Sequence, residues 1–360
     1  MNIYISIFIF ALALFVRAFA YDIFSNIKTY KDLKEELNNL PFEERLKLEI
    51  IESTLAKDEK KAKGLFSLLK ILQATYKDNP VLENIIYVPE NKYAIVVSKK
   101  RQNFKIITNK NGVIQQTYTQ SCITGKRPGD KLKEGDKRTP SGIYFPMGFI
   151  PSNKLSDIYG HGAFPLNYPN IIDRMIFHKT GDGIWLHATN DDNRPPFSSN
   201  GCVVVKNNVF DNISKYISVK DTPVVIVNDY SFTSKDNLQK TKKEIVQFFY
   251  SWIKAWENST KPQSLKKYFS FYSDNMISVY GNKKAFIKHK KAVSKRKKWI
   301  KIYVNDIYIA KDGRVLNFGN IYSVSFSMEY KSNNYNWKGK KVIYIIKEEG
   351  KWKILAEESL

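Results

Sequence analysis

Apolar positions recur at helical spacing in the first part of the chain and alternate with polar ones later. Leu33, Leu37 and Leu40 lie three and four residues apart, which predicts an amphipathic helix. Pro41 opens a second run carrying Leu46, Leu48, Ile50 and Ile51. After the Lys-rich stretch Lys57 to Lys63, a third stripe follows at Leu65, Leu68, Leu69 and Leu72. Residues 22–76 therefore read as helices. So short an array buries little surface alone, so it is expected to pack on the next domain or on a second copy of itself, giving a homodimer through these N-terminal helices.

From Ile85 the pattern changes to strands. Tyr93 to Ser98 and Asn103 to Thr108 are β-rich and separated by the polar turn Lys99 to Gln102; Asn109 to Gly112 reads as the next turn, before Val113 to Cys122. Residues 124–142, rich in Gly, Pro, Lys and Asp, read as a long loop. Further β-like runs are Gly183 to Leu186, Gly201 to Val205 and Pro223 to Val227. Ser231 to Asn237 is a polar linker. Beyond it Ile245, Val246, Phe249, Trp252, Ile253 and Trp256 define a strongly amphipathic helix. Strands are then expected at Ile300 to Ile309, Ile321 to Tyr330, Val342 to Lys347 and Trp352 to Glu357, a helix followed by a curved antiparallel sheet. No internal repeat is visible.

The first twenty residues bear on compartment. Ile3 to Val16 is apolar but shorter than the roughly 20 residues of a membrane span. Ala18-Phe19-Ala20 has the small-x-small pattern of a signal-peptidase site, so residues 1–20 are expected to be a signal peptide and Tyr21 the mature N-terminus. An uncleaved anchor is the alternative, because no Lys or Arg precedes the apolar run and Arg17 interrupts its end. Either reading places the bulk of the chain outside the cytoplasm.

Charge sharpens the choice of partner. Lys and Arg number 58 against 35 Asp and Glu, a net charge of +23. Residues 231–360 hold 27 Lys and Arg against 11 Asp and Glu, so +16 of that total sits in the last third. A polyanionic neighbour is implied (nucleic acid, acidic lipid or an acidic cell-wall polymer), with solubility and a Lys-rich compositional bias as the alternative. The compartment removes nucleic acid. Two cysteines cannot make a disulfide framework, and four dispersed histidines have no zinc-ligand spacing, so neither a metal nor an organic cofactor is expected.

Candidate chemistry concentrates in Gly183-Ile184-Trp185-Leu186-His187-Ala188-Thr189-Asn190 and Ser198-Ser199-Asn200-Gly201-Cys202-Val203-Val204. A strand ending at His187, a hairpin-like excursion and a Gly-Cys entering the next strand bring an imidazole to a thiol. An imidazolium beside a cysteine lowers its pKa from about 8.5 toward neutrality, and the imidazole can return the proton to a leaving amine. Gly201 admits a close backbone approach, and N–H groups around Gly201 and Cys202 are candidates for holding an oxyanion. The competing reading is that a lone cysteine is simply a small buried hydrophobe.

Other candidates are weaker. His161, in Tyr159-Gly160-His161-Gly162, lies near the expected substrate loop. Arg174 and Arg194 are candidates to pair a substrate carboxylate, with surface salt bridges as the alternative. His178 reads as structural and His289 as a solvated residue of a Lys-rich stretch. Cys122 reads as buried; a disulfide to Cys202 would block catalysis.

These segments resemble the signature of the YkuD-type L,D-transpeptidase family, in which a His precedes a Ser/Thr-x-Gly-Cys motif by about this distance. The resemblance spans roughly residues 88–229 and includes Thr124-Gly125-Lys126 and the loop Asp136-Lys137-Arg138-Thr139-Pro140-Ser141-Gly142-Ile143-Tyr144. It implies that Cys202 is the nucleophile and His187 its acid/base partner. It also implies that the carbonyl of Ala188 orients the ring, that Gly201 belongs to the oxyanion region, and that Ser199 matches the motif. Two departures stand out: Asn200 replaces a frequent His before Gly-Cys, bearing on substrate choice, and Ala188 replaces a frequent Gly.

The C-terminal block resembles a SnoaL-like, or nuclear-transport-factor-like (NTF2-like), domain, on its long aromatic helix and the terminal Gly350-Lys351-Trp352-Lys353-Ile354-Leu355-Ala356-Glu357-Glu358. Such domains are cones with an aromatic pocket, for which Tyr250, Trp256, Tyr268, Phe271 and Trp299 are candidates, an ordinary core being the alternative. The expected organisation is α+β and multidomain: signal peptide 1–20, N-terminal helical region 21–87, mostly-β YkuD-type catalytic domain 88–230 and SnoaL-like α+β cone 238–360. The pairing is similar to that of L,D-carboxypeptidases setting cell shape in helical and curved Gram-negative bacteria. It implies a periplasmic enzyme that removes terminal D-Ala from peptidoglycan tetrapeptide stems, with contacts to glycan strands. An L,D-transpeptidase forming 3→3 cross-links or attaching acceptors is the alternative, and a wall-binding scaffold is a third reading.

Overall fold

A computed structural model describes residues 39–317 and 319–360. The expected signal peptide, with Leu33 and Leu37, lies outside the described residues. The chain divides into two compact units, one ending at Leu69 and one running from Lys70 to Leu360.

In the first unit Pro41 precedes the helix Phe42–Leu55, which buries Phe42, Leu46, Ile50 and Ser53 along one stripe and carries Glu43 and Glu44 in its first turn. Asp58 then accepts the Lys61 N–H at 3.2 Å and starts the helix Glu59–Gln73, whose Leu65, Leu68 and Leu69 are buried. The helical reading of 22–76 fails at its end, while the change to strands from Ile85 holds. Thr75–Tyr76, Val81–Leu82 and Ile85–Tyr87 are short strands. Ile85, Ile86 and Tyr87 are branched or aromatic and fully buried, as completing a sheet edge demands.

The catalytic-domain region packs two sheets face to face. One has six strands in the order Thr75–Tyr76, Val113–Ser121, Asn103–Lys110, Tyr93–Ser98, Val224–Val227, Gly142–Tyr144. The other has four, in the order Val203–Lys206, Trp185–Thr189, Gly162–Pro165, Ile150–Pro151. Alternation sends Leu186, Ala188, Val203 and Val205 into the shared core with Phe104, Tyr144, Phe164 and Phe210. Cys122 is buried in that core and both cysteines are free, so no Cys122–Cys202 disulfide exists.

The C-terminal domain is a seven-stranded sheet, ordered Gly281–Asn282, Tyr272–Ser278, Lys351–Ser359, Asn336–Glu348, Gly319–Ser332, Ile300–Leu316, Ile85–Tyr87. Its helix Lys235–Glu257 is capped by Ser234 and buries Ile245, Val246, Phe249, Trp252, Ile253 and Trp256. Two features differ from the sequence reading. Tyr272–Ser278 runs parallel to Lys351–Ser359 in an otherwise antiparallel sheet. The Lys-rich stretch forms the helix Lys283–Ser294, where Phe286 is the one buried hydrophobic and periodicity is too sparse to read.

Two ionic clusters, one half-buried and one buried, tie this domain to the catalytic one. In the first, Asp221 accepts from Lys92 at 2.8 Å, from Tyr308 OH at 2.9 Å and from Lys340. The second gathers around Arg314.

Candidate active site

The strand Trp185–Thr189 runs parallel to Val203–Lys206, with Leu186 opposite Val203 and His187 opposite Val204. The connection over residues 190–202 is therefore a crossover rather than the hairpin-like excursion expected. Cys202 immediately precedes Val203–Lys206, next to the strand that carries His187. The Trp185 N–H donates to Cys202 Sγ at 3.4 Å, and Sγ in turn lies 3.5 Å from Gly183 O. The Tyr159 ring packs against Trp185 at 5.0 Å and edge-on to His187 at 4.9 Å.

Burial dominates the electrostatics. It lowers His187 to about 4, and the repulsion of Arg194 adds to this against the opposing bond to Ala188 O. Burial likewise raises the Cys202 thiol, opposed by the Trp185 N–H and the charges of Arg194 and Lys131. Both shifts favour the uncharged forms, a neutral imidazole and a thiol, whereas an imidazolium neighbour would lower the thiol. His187 Nδ1 lies 2.6 Å from Ala188 O. A carbonyl only accepts, so Nδ1 carries the proton and Nε2 is left as a base.

The turn before Cys202 is built by Ser199. Its hydroxyl accepts the Gly201 N–H at 3.1 Å and donates to Cys202 O at 2.7 Å. Gly201 has φ +137°, and a β-carbon there would come within 2.9 Å of Arg138 O. The Thr124-Gly125-Lys126 segment lies alongside: Ser199 N–H donates to Thr124 O at 3.1 Å and Lys126 N–H to Ser199 O at 2.9 Å. Gly125 N–H donates to Thr139 Oγ1 at 2.8 Å, fastening this segment to the Thr-Pro loop. Gln102 completes the frame, its Oε1 accepting from Thr124 N at 3.0 Å and Phe197 N at 2.9 Å.

The remaining sequence candidates separate. Arg194 is half-buried, donates to Ser198 Oγ at 3.3 Å and is felt by both Cys202 and His187; among the described residues no carboxylate pairs with it. Asn200 is exposed beside the thiol turn. Ser199 is buried and its hydroxyl is occupied within the turn, so its role is to shape the turn rather than to meet substrate. His161 is exposed and held 2.9 Å from Asp211 on the helix Asn207–Ser214. Arg174 is exposed, donates to Pro169 O and acts on Glu358 of the C-terminal strand, away from the thiol. His178 is an exposed turn residue at φ +50°.

Sequence reasoning missed Tyr159 and Lys131. Tyr159 stood next to the glycine–histidine motif that drew attention to His161. Lys131 looked like one more loop lysine, yet it is buried against Asp136 at 2.9 Å. Asp136 also accepts from Leu132 N, Lys133 N and Arg138 N, which with Lys131 hold its carboxyl at about 2 despite burial.

The C-terminal domain holds a cavity of about 640 Å³ lined by Trp256, Tyr268, Tyr330, Trp337, Lys290 and Lys341, among others. Tyr250, Phe271 and Trp299 do not line it, and Trp299 is exposed. His289, expected to be solvated, stacks on Tyr280 at 3.8 Å in the cavity wall.

Two family models match the chain. The L,D-transpeptidase catalytic domain (YkuD) matches residues 92–226, and the Cds6 C-terminal NTF2-like domain matches residues 244–358. No curated protein sequence matches. Among solved structures, Bd1075 of Bdellovibrio bacteriovorus is 30% identical with a TM-score of 0.62, over 78% of this chain and 97% of that one. The helical cell shape determining protein Pgp2 of Campylobacter jejuni is 28% identical with a TM-score of 0.64, over 81% and 98%. A point mutant of the same Campylobacter jejuni protein gives 27% and 0.63, over 83% and 99%. With the Cys202 turn beside the His187 strand, a Thr-Pro loop and both domains in place, the chain belongs to the YkuD-type L,D-transpeptidase family, in the form that carries a C-terminal NTF2-like domain.

Proposed function

We infer that the protein is a periplasmic peptidoglycan L,D-carboxypeptidase that removes terminal D-Ala from tetrapeptide stems and thereby affects cell shape. The observation that carries this reading is the placement of Cys202 against the strand that holds His187, its Sγ taking the Trp185 N–H, with Nδ1 of His187 committed to Ala188 O. Similarity to a helical cell shape determining protein supports the wall-shaping role.

On attack, the Cys202 S–H proton passes to His187 Nε2 while sulfur bonds to the carbonyl carbon at the L-centre of diaminopimelate. Gly201 N–H is taken by Ser199, so the oxyanion role falls to the N–H of Cys202. The imidazolium gives its proton to the leaving amine, the C–N bond breaks and D-Ala departs. Water then adds to the thioester with its proton taken by His187, the C–S bond breaks, and the thiol regains its proton. Arg194, unpaired among the described residues beside the dyad, is suited to the terminal carboxylate of the stem. The first twenty residues act as the signal peptide on this reading.

The test is mass spectrometry of a disaccharide-tetrapeptide after incubation with protein lacking residues 1–20, with Cys202→Ala as control. Loss of one alanine, absent from the control, is expected. A dimer formed with release of one alanine would make the enzyme a transpeptidase, and no change in either sample would sink the catalytic reading. Wall binding is a second reading, favoured by the cavity. Glu357 lies 2.7 Å from Lys341 and 3.9 Å from Lys290, leaving a cationic, aromatic surround suited to anionic wall fragments.

A further inference from the structure

One buried ionic chain plays no part in the chemistry above. Asp312 and Arg314 sit two residues apart on the strand Ile300–Leu316, where its register with the neighbouring strand shifts between Lys311 and Val315. Gly313 between them lies against the catalytic domain: a β-carbon there would come within 2.7 Å of Val227 Cγ1. Asp312 grips the guanidinium twice, from Nε at 2.9 Å and from Nη2 at 2.7 Å. Nη1 donates to Asp173 of the catalytic domain, and the guanidinium lies over the Phe177 ring, 4.6 Å from its centroid.

From Asp173 the chain runs on toward the thiol. Asp173 is fully buried and lies 3.3 Å from Lys179, whose Nζ reaches Asp130 at 2.6 Å. Asp130 accepts the Ser141 N–H at 2.6 Å. Tyr144 OH makes a second link, 3.3 Å from Asp173 and 2.9 Å from Ser141 O. Arg314 also meets the loop directly, because a β-carbon on Gly142 would stand 2.7 Å from its Nη2. Ser141 ends the loop whose Thr139 hydroxyl takes the Gly125 N–H and whose Arg138 carbonyl abuts Gly201.

We propose that Arg314, supplied by the NTF2-like domain, is a positioning residue for catalysis: it fixes the loop Asp136–Ser141 against which Gly201 and Cys202 are seated. This rests on the reading of Cys202 as the nucleophile. The NTF2-like domain is then part of the working active site as well as a binding module. Without the guanidinium, Asp312 and Asp173 are left buried as like charges with Lys179 as the remaining cation in contact with Asp173, and the loop end loses its anchor.

The test uses the full chain with Arg314→Met and the conservative Arg314→Lys. Two readouts are taken: kcat and KM on a soluble tetrapeptide stem, and the rate of Cys202 alkylation by iodoacetamide without substrate. Arg314→Met is expected to lower kcat about ten- to a hundredfold with little change in KM, and to change the alkylation rate. Arg314→Lys should recover part of both. A folded Arg314→Met with wild-type kcat and alkylation overturns the proposal, as does an effect confined to KM. Should Arg314→Met not fold, Tyr144→Phe decides, since it deletes one hydroxyl of the same chain: a lower kcat supports the proposal and an unchanged one overturns it. If wild-type protein does not cleave the stem while the variants still change alkylation, the substrate reading fails and the positioning role stands.

Discussion

His187 donates Nδ1–H to Ala188 O, the carbonyl of its own neighbour in the strand, at 2.6 Å. A main-chain acceptor thus does what an acidic third residue does in other triads, fixing tautomer and ring plane without adding a charge. Tyr159 packs edge-on against the same ring at 4.9 Å. The absence of a carboxylate at Nδ1 fits the electrostatics: the bond to Ala188 O opposes burial without outweighing it, and His187 is lowered to about 4.

The pH dependence follows. The base form of His187 persists as pH falls from 8 to 6, so kcat/KM should stay flat across that range and fall only toward about 4. The thiol is raised by burial, so alkylation of free enzyme should accelerate only in alkaline solution. Parallel measurements of both profiles check this. An alkylation inflection near neutrality would mean that the pair rests as an ion pair.

Arg194 is expected to recognise the stem terminus. Arg194→Ala should raise KM for a stem ending in free D-Ala about tenfold or more, the scale of one charge-assisted contact of roughly 1.5–3 kcal/mol. The same variant should act like wild type on a stem whose terminal carboxylate is amidated. Equal losses on both substrates would assign Arg194 to the loop rather than to the ligand.

Ser199 shapes the thiol turn through two bonds inside it. Ser199→Ala leaves Gly201 N–H and Cys202 O without their partner, which should cost about 1–3 kcal/mol of stability and lower kcat. Urea unfolding of the wild type and variant, read with steady-state kinetics, tests this. Wild-type stability would show that the backbone holds the turn unaided.

Much of this site was legible because motif and alternation point to the same place. His187 and Ala188 lie on one strand and Gly201 and Cys202 immediately precede its neighbour, and local spacing carries that information. Partners far apart in sequence were not legible. Nothing in the local pattern around Arg174 distinguishes it from Arg194, yet the fold turns one toward Glu358 and leaves the other beside the thiol. Arg314 lies 141 residues from Asp173, within a strand expected to end at Ile309, and only the bulge that carries it into the catalytic domain reveals its use. Ile85–Tyr87 joins the distant sheet by pairing with Ile309 and Ala310, a contact that spans the whole catalytic domain in sequence.

The interdomain cluster around Asp221 yields a stability prediction. Asp221 sits between Lys92, Lys340 and Tyr308, and those two lysines hold its carboxyl below the ordinary range although burial, the largest influence, acts the other way. Asp221→Asn keeps the shape but leaves Lys340 buried without its counter-charge. The cost should fall near the lower end of the roughly 3–5 kcal/mol typical of breaking a buried pair, because Lys92 keeps partial exposure and Asp306 at 3.0 Å. The sign with pH is fixed by the depressed pKa. The contribution of Asp221 is present above the unfolded carboxylate value of about 3.9 and is lost as pH falls through its lower folded value. Urea unfolding of wild type and Asp221→Asn should therefore show a clear gap at pH 7 that narrows below pH 4. A gap of constant size down to pH 3 would mean that Asp221 acts through packing and hydrogen bonding, which the asparagine disturbs, rather than through its charge.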